Sequence, residues 1–453
     1  MTSPNSLREA VVDILPSVRA DLEALVRIPS VSADPDRAAD VRRCAEATAE
    51  LFAAEGLDVQ ILTASGGAPA VVARSPAPEG APTVLLYAHH DVQPIGNLAD
   101  WDSEPFEPTE RDGRLYGRGA ADDKAGIAAH LAALRVHRAH RGALPVGVTV
   151  FVEGEEEVGS PTLAPFLDEH HDLLAADVIV IADSTNWDVG VPALTTSLRG
   201  LVDVIVEVST LEHGVHSGLY GGVVPDAVTA LVRLLTTLHD DRGNVAVKGL
   251  VSGPAADVDY PEDRLRDEAA ILDGVQLIGE GSVVQRLWTK PAIATVALDT
   301  TRIADASNTL IPSVRAEISL RLAPGDSTES AMRCLTEHLT SNAPWGARVD
   351  VTPGGSVAEP SVIEADGPAY DAARAAFREA WDGTDPVDIG VGGSIPFIAA
   401  FQEAFPEAAV LVTGVEDPDT RAHGVNEGLH LQEFERVCLA ETLLLSNLAP
   451  DSA

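Results

Sequence analysis

The chain has 453 residues, 45% of them hydrophobic, and this length and apolar content predict a folded protein with at least two domains rather than a disordered one. Its 70 acidic and 31 basic residues give a formal net charge of -39 at pH 7. Because such a surface repels phosphate backbones and anionic lipid headgroups, we expect neither a nucleic-acid partner nor a membrane partner.

The cysteines and the N-terminal residues indicate where the protein is found. Cys44, Cys334 and Cys438 lie far apart and form no CxxC pair, which argues against a disulfide framework and against a cysteine zinc site. Charged residues interrupt the stretch from Met1 to Ile28, and no long apolar run occurs elsewhere, so neither a signal peptide nor a membrane span is predicted. The expected location is the reducing cytoplasm.

The first part of the chain alternates predicted helices with predicted strands. Helical spacing covers Ser6–Arg27, Asp40–Glu55, Gly126–Arg138 and Ser160–Asp168, and strand patterns cover Val59–Leu62, Ala70–Ala73, Thr83–Ala88, Val146–Val152 and Val178–Ala182. This alternation is typical of an α/β fold, with a sheet that has helices on both faces.

A different pattern begins near Ser197. Strands are predicted at Leu201–Val208, Thr295–Leu298, Ala316–Leu322 and Ala347–Val351, and helices at Asp226–His239 and Glu329–Leu339. After Pro353–Pro360, which we interpret as a linker, the α/β pattern resumes with Tyr370–Trp381, Ile395–Ala404, Ala408–Thr413 and Leu431–Leu448. The sequence therefore predicts a discontinuous first domain, residues 1–197 and 357–453, that carries an α+β insert, residues 198–356.

Histidines and acids follow the ends of the predicted strands, where sites form in open α/β sheets. His89 and Asp91 follow Thr83–Ala88 and project to the same side, which suits a metal-ligating histidine oriented by a carboxylate, or else a surface loop with an Asx turn. Asp122 lies just before the helix that begins at Gly126, where an aspartate could bridge two cations or simply cap the helix.

Three further segments add acids and one histidine. Four glutamates, Glu153 and Glu155–Glu157, crowd around Gly154, which is costly unless a cation neutralises them or the turn is solvated. Asp183 ends a buried strand, and His423 follows a later one; alone, each is typical of a cap or a surface residue. Carboxylates and imidazoles without thiolates suit zinc, cobalt or manganese, and one bridging carboxylate would give a two-metal hydrolytic site.

The order and spacing of these motifs resemble the co-catalytic zinc exopeptidase family of carnosinase, aminoacylase-1, acetylornithine deacetylase and succinyl-diaminopimelate desuccinylase. The resemblance extends from about Leu22 to Leu445, and the stretches His216–Gly222 and Gly392–Pro396 are most similar to carnosinase-like dipeptidases. It implies a zinc-exopeptidase-like mixed sheet flanked by helices, with an inserted α+β dimerisation or lid domain.

The resemblance also implies two zinc ions per subunit, with cobalt or manganese as alternatives. The ligands would be His89, Asp122, Glu157, Asp183 and His423. Asp122 would bridge the ions, His89 and Asp183 would complete one site, and Glu157 and His423 the other. A cis peptide bond is expected between Asp122 and Asp123.

Catalytic roles follow from the same resemblance. Glu156 would be the general base, because the family's Glu-Glu pair precedes x-Gly-Ser, although a shift of one residue would give that role to Glu155. Asp91 would orient His89. His216, in the insert, would reach the active site of the partner subunit and stabilise the oxyanion; the alternative is an ordinary turn histidine.

Substrate contacts are implied as well. Arg321 would hold the substrate carboxylate, and Asn308, Thr309, Gly393 and Ser394 would supply further contacts. Asp183 agrees with peptidases of this family, whereas deacylases tend to have Glu at that position. Carnosinase-like enzymes carry Arg-Glu before Gly-Gly-Ser where this chain has Gly390-Val391, so carnosine hydrolysis is not specifically predicted.

The predicted function is metal-dependent hydrolysis of dipeptides, or of short peptides with a free C-terminal carboxylate, by a cytoplasmic homodimer. One alternative is an N-acyl-amino-acid deacylase, which the same site could serve. A second alternative, a non-catalytic family member, is opposed by the complete ligand set and by Glu156.

Overall fold

The computed structural model describes residues 4–393 and 396–450, and contacts between residues divide the chain into two units. The first unit comprises the residues up to Thr196, Ile363–Ile389 and the residues from Ala400 onward. The second comprises Ser197–Val362 and Gly390–Ala399, as far as these are described. No helix in the described part of the chain has the length and apolar character needed to cross a membrane.

The first unit begins with helices and strands in alternation. In chain order these are α1 (Pro4–Val26), α2 (Ala38–Ala54), β1 (Asp58–Leu62), β2 (Ala70–Ser75), β3 (Thr83–His89), β4 (Thr109–Arg111), β5 (Arg114–Tyr116), α3 (Lys124–Arg141), β6 (Gly147–Glu153), α4 (Leu163–Glu169), α5 (His171–Leu174), β7 (Val178–Ile181) and β8 (Ala193–Leu198).

The second unit is built mostly from antiparallel strands. Its elements are β9 (Gly200–Ser209), β10 (Val215–His216), α6 (Ser217–Tyr220), α7 (Ala227–Leu235), α8 (Glu262–Glu268), β11 (Ala292–Asp299), β12 (Thr309–Leu310), β13 (Ser313–Leu322), α9 (Thr328–Ser341), β14 (Arg348–Ala358) and β15 (Ser361–Val362). The chain then continues through α10 (Pro368–Ala380), β16 (Val387–Val391), α11 (Pro396–Ala404), β17 (Ala409–Val412), β18 (Gly428–His430) and α12 (Leu431–Asn447).

A mixed sheet forms the centre of the first unit. Within this unit its strand order is β1-β2-β6-β3-β7-β17-β8, with β16 also paired to β8. The four central strands β6, β3, β7 and β17 are parallel, whereas β1, β2 and β8 run antiparallel to their neighbours. Because these central strands are parallel, their carboxyl ends all lie at one edge of the sheet.

Helices and aromatic side chains cover the two faces of this sheet. On one side α1, α3 and α12 pack against one another, and α3 also contacts β3. On the sheet itself, Tyr87 and Phe151 are register neighbours whose rings contact each other and Phe401, and Phe151 stacks on Phe166 of α4. Nearly every residue of β3 and β6 is buried and most are apolar, as expected for strands that are covered on both faces.

In the second unit a four-stranded antiparallel sheet, in the order β11-β13-β9-β14, packs against α7 and α9. Val202, Val204, Val206 and Val208 alternate along β9 and form the core together with apolar residues of both helices. The strand β11 lies at one edge of the sheet, and its residues from Ala294 to Asp299 are exposed.

The predicted elements agree with the structure within a few residues at their ends, with one clear exception. The stretch Pro353–Pro360 is not a linker as predicted, because β14 extends to Ala358. An irregularity in its pairing with β9, between Pro353 and Val357, accommodates the proline and the two glycines that follow.

Candidate metal centre

The parallel strands of the first unit bring the predicted ligands to one edge of the sheet. His89 is the last residue of β3, and Asp183 follows β7 by two residues. Glu156 and Glu157 begin a 3-10 turn just after β6, and His423 lies in the loop after β17. Residues that are far apart in the sequence therefore meet for a topological reason, the shared direction of four strands.

Asp122 lies between two imidazoles. Its Oδ1 is 3.1 Å from Nε2 of His89, and its Oδ2 is 3.0 Å from Nε2 of His423. The peptide bond between Asp122 and Asp123 is cis, as the resemblance implies. One carboxylate that faces a histidine through each oxygen is the arrangement expected of a bridging ligand.

Two groups of ligand atoms share this aspartate. His89, Asp122 and Asp183 form one group, and Asp122, Glu157 and His423 form the other, with the ligand atoms within each group no more than 4.8 Å apart. Nε2 of His89 lies 3.9 Å from Oδ2 of Asp183, and Nε2 of His423 lies 3.2 Å from Oε2 of Glu157. The structure thus brings together all five residues that the resemblance assigns to metal binding.

Asp91 links a histidine to the glutamate turn. Its Oδ1 lies 3.4 Å from Nδ1 of His89, and its two carboxylate oxygens accept hydrogen bonds from the backbone N–H groups of Glu156 and Glu157. A proton held on Nδ1 of His89 leaves the lone pair of Nε2 available for a cation. The same carboxylate therefore orients the imidazole and fixes the turn that carries the two glutamates.

The two adjacent glutamates that could act as base are placed differently. The Glu156 side chain is 17% exposed, and its Oε2 lies 3.9 Å from Nε2 of His89. Burial raises the pKa of Glu156 well above its usual value, and the carboxylates of Asp183 and Glu157 raise it further. The carboxylate of Glu155 instead accepts hydrogen bonds from the backbone N–H groups of Ala68 and Thr162 and belongs to neither ligand group.

The residues present fit a pair of divalent cations. Oε2 of Glu157 is buried and has no hydrogen-bond partner in the described part of the chain, although it lies 3.2 Å from a nitrogen of His423. Two ligand atoms this close without a hydrogen bond leave both lone pairs available to one ion. Carboxylates with imidazoles, and no thiolate, form the donor set that suits zinc and its neighbours in the first transition series.

The close packing of negatively charged carboxylates in this cluster also favours bound cations. Burial and the nearby carboxylates of Asp122 and Glu157 raise the pKa of Asp183 to about 7. The nearby carboxylates of Asp122 and Glu157 raise the pKa of His423 to about 11. The side chains therefore compensate for excess negative charge by holding protons, which bound cations would displace.

Two buried residues that sequence reasoning did not single out hold the centre together. The carboxylate of Glu427 accepts hydrogen bonds from the backbone N–H groups of Gly119, Ala121 and Asp122, and it forms an ion pair at 2.8 Å with Arg118. Nη2 of Arg118 also donates to the carbonyl oxygen of His423. The structure shows that Glu427 and Arg118 join the segment of Asp122 to the loop that carries His423.

The second unit contains the other predicted site residues. His216 and Thr309 are register partners in the β10–β12 pair, and the Ser217 N–H donates to the carbonyl oxygen of Asn308. His216, Thr309 and Asn308 are all exposed. Nδ1 of His216 accepts a hydrogen bond from the backbone N–H of Gly218, so in the neutral ring Nε2 carries the proton and can donate.

The remaining predicted substrate residues lie at β13 and at the glycine-rich bend. Arg321 is in β13 opposite Leu201, and Gly393 is exposed in the bend that follows β16, whereas Ser394 lies outside the described residues. The departure at Gly390 has a structural reason: a Cβ atom there would lie 2.7 Å from Cβ of Trp288. A larger residue at this position would therefore collide with the buried tryptophan.

Comparison with known proteins identifies the family. Residues 85–447 match the family model described as peptidase family M20/M25/M40. The chain belongs to this family. It is 38% identical over 369 residues to the cysteinylglycine-S-conjugate dipeptidase of Corynebacterium striatum, and this alignment covers 81% of each protein. It is 30% identical over 370 residues to the Beta-Ala-His dipeptidase of Homo sapiens, covering 77% of this chain and 71% of that protein.

Solved structures of this family share the fold. Human carnosine dipeptidase 1 superposes with a TM-score of 0.83 at 24% identity, over 99% of both chains. Dug1p from Saccharomyces cerevisiae superposes with a TM-score of 0.82 at 22% identity, over 99% of this chain and 98% of that one. These findings confirm the predicted fold class and family resemblance, and the chain is a metal-dependent peptidase of the M20 family.

Proposed function

We propose that the chain is a two-zinc dipeptidase that acts on dipeptides or short peptides with a free C-terminal carboxylate. The observation that carries this function is the position of Asp122 between His89 and His423, with Glu156 beside the same cluster. The similarity of this chain to two dipeptidases supports the substrate class. This similarity does not favour the deacylase alternative.

The side chains of the first unit account for the proton transfers. When bound, two divalent cations would polarise the scissile carbonyl and lower the pKa of the attacking water. Glu156 accepts the proton of this water, and the protonated carboxyl then donates it to the leaving amine. Burial raises the pKa of Glu156, and a more basic carboxylate is a better acceptor for the proton of the water.

We assign the five ligands as the resemblance implies. His89 and Asp183 would hold one ion, Glu157 and His423 the other, and Asp122 would hold both. Zinc is the metal proposed, because carboxylate and imidazole donors in groups of three leave a position open for water and substrate. Elemental analysis of the purified protein, with about two zinc ions per chain as the expected result, tests this assignment.

The second unit is proposed as a dimerisation lid that supplies His216 to the partner subunit's active site. Apolar side chains are exposed close to this histidine: Leu219 is 76% exposed and Val223 90% exposed. The edge strand β11 adds Val296 and Leu298, which are 58% and 56% exposed. A partner subunit would cover exposed apolar side chains such as these, in the same unit as a histidine that can donate from Nε2.

The subunit assignment predicts complementation. A mixture of His216→Ala and Glu156→Gln chains should regain activity that neither variant has alone, because mixed dimers contain one intact site. Sedimentation of the mixture confirms that dimers have formed. Mixed dimers without activity would show that His216 does not act across subunits.

Substrate contacts are assigned to Arg321 for the terminal carboxylate, with Asn308, Thr309, Gly393 and Ser394 as further contacts. The protein is placed in the cytoplasm, because its three cysteines are free thiols, as a reducing compartment favours.

A matched pair of glutamate variants tests the function. Glu156→Gln should retain its zinc and lose about 100-fold or more in kcat, because the transferred proton has no acceptor. Glu155→Gln is the control: it changes a neighbouring carboxylate that is bonded to Ala68 and Thr162, and it should keep most of its turnover. The substrates are Cys-Gly, β-Ala-His and a panel of N-acetyl amino acids. Faster release from the acetyl compounds, or equal losses in both variants, would contradict the proposal.

A further inference from the structure

Arg199 is a buried cation in the second unit. The residue is 8% exposed, its Nε donates to the carbonyl oxygen of Gly392, and its backbone N–H donates to the carbonyl oxygen of Val391. Its Nη1 is buried and has no hydrogen-bond partner among the described residues. A buried guanidinium nitrogen without an acceptor is costly, so the protein gains if a ligand supplies one.

In the described part of the chain, no carboxylate offsets the charge of Arg199. Burial lowers the pKa of Arg199 to about 10, and the positive charge of Arg321 lowers it further. A carboxylate nearby would have raised this pKa instead. Because the two positive charges are close enough to repel each other, an anion that binds between them would be stabilised.

The fold places the two arginines near each other. Arg321 lies opposite Leu201 in the β9–β13 pair, and Leu201 is only two residues after Arg199. Through Gly392, the guanidinium of Arg199 also holds the strand that leads into the bend at Gly393. One side chain therefore contacts the bend and has a second nitrogen available for a ligand.

We propose that Arg199 binds the C-terminal carboxylate of the substrate through Nη1, jointly with Arg321, and so selects substrates with a free carboxylate. The inference rests on the proposed function, because it assigns a further specificity residue to that reaction. Planar guanidinium groups match the two oxygens of a carboxylate, and a lysine could not hold Gly392 and the substrate at the same time.

The test compares a substrate acid with its amide. Wild type, Arg199→Gln and Arg199→Lys are assayed with Cys-Gly and with Cys-Gly amide, which has the same peptide bond but no terminal charge. Arg333→Gln is the control, since Arg333 is an exposed arginine of the same unit that donates to Ser330. Circular dichroism and thermal unfolding establish that each variant is folded.

The expected result is a loss confined to the acid. Arg199→Gln should lower kcat/KM for Cys-Gly by about 10- to 100-fold, mainly through KM, and change the value for the amide by less than about 3-fold. Arg199→Lys should show the same selective loss, and Arg333→Gln no loss. Equal losses for acid and amide would show that Arg199 only supports the bend, and unchanged kinetics would show that it does not contact substrate; either result overturns the inference.

The role of Arg199 can be tested even if the dipeptidase assignment proves wrong. N-acetyl amino acids also end in a carboxylate, so an enzyme that prefers them is compared on N-acetylmethionine and N-acetylmethionine amide. Loss of the preference for the acid in Arg199→Gln would then support Arg199 as a carboxylate ligand while the dipeptidase assignment fails. Retention of that preference would overturn the role of Arg199 regardless of the substrate class.

Discussion

The substitution Glu427→Gln should weaken metal binding and fold stability together. One carboxylate oxygen of Glu427 accepts from the backbone N–H groups of Ala121 and Asp122, and the other accepts from the N–H of Gly119 and from Arg118. A glutamine amide can replace only one of these oxygens with its own. In either orientation its NH2 group faces two donors, and the charge of Arg118 loses its partner.

The expected size of the effect follows from these contacts. Removing one partner of a buried ion pair costs about 3–5 kcal/mol, because the other charge stays buried. That is a large fraction of the roughly 5–15 kcal/mol by which a folded domain is stable. The bonds to Ala121 and Asp122 also position the carboxylate of Asp122, the proposed bridging ligand, and loss of such supporting contacts lowers metal affinity by about 10- to 100-fold.

Two measurements separate stability from metal binding. Urea unfolding of the metal-free protein gives the free energy of unfolding, and competition with a chromophoric chelator gives the affinity for zinc. Glu433→Gln is the matched control: Glu433 is equally buried, accepts from Trp381 and pairs with Arg436, but it lies in α12 and contacts no predicted ligand. It should destabilise the fold and leave zinc affinity unchanged.

Two results would refute this reasoning. The first is a Glu427→Gln protein that binds zinc as tightly as the wild type. The second is a Glu433→Gln protein that loses as much zinc affinity as Glu427→Gln, since the loss would then follow from any buried defect. In the first case the backbone of Asp122 is fixed without Glu427.

Two further changes test the packing inside the first unit. Burial lowers the pKa of His137 from 6.5 to about 4, so the unfolded chain binds the proton first and stability falls as the pH drops below about 6.5, by roughly 3 kcal/mol near pH 4. His137→Leu should flatten this acid dependence in urea unfolding at pH 4.5–7, and an unchanged slope would contradict it. A Cβ atom on Gly414 would lie 1.7 Å from the carbonyl oxygen of Ser184, so Gly414→Ala should destabilise the protein by about 3 kcal/mol. In thermal unfolding the control Gly355→Ala, where no atom lies within 4 Å, should be close to wild type, and equal behaviour of the two variants would contradict the prediction.

The secondary structure was predictable where one face of an element is buried. The apolar alternation of β9 and the buried run of β6 give strong signals because the sheets are covered by helices. The Pro353–Ala358 segment was not predictable, because proline and glycine are typical of linkers and only the partner strand β9 holds this segment extended. Tertiary pairing overrides local preference there.

The candidate site was predictable in part. Strand ends identified His89 and Asp183, and the resemblance supplied the roles, but neither could show the distances from Asp122 to its two histidines. The contacts by which Arg118 and Glu427 hold the segment of Asp122 were not predicted. A buried arginine or glutamate has no recognisable local sequence pattern, and these two residues are 309 positions apart in the chain. The sequence left open whether Glu155 or Glu156 is the general base. In the structure the carboxylate of Glu155 is bonded to the N–H groups of Ala68 and Thr162 instead of facing the predicted ligands.

The order of the ligands along the chain has a consequence for biosynthesis. A ribosome that has completed residue 183 has delivered four of the five proposed ligands, but His423 emerges only after some 240 further residues, including the whole second unit. A nascent chain therefore contains all three proposed ligands of one ion early, whereas the ligand set of the other ion is complete only near the end of translation. Capture of the second ion would then fasten the late segment to the early one and favour the finished protein over partly folded chains.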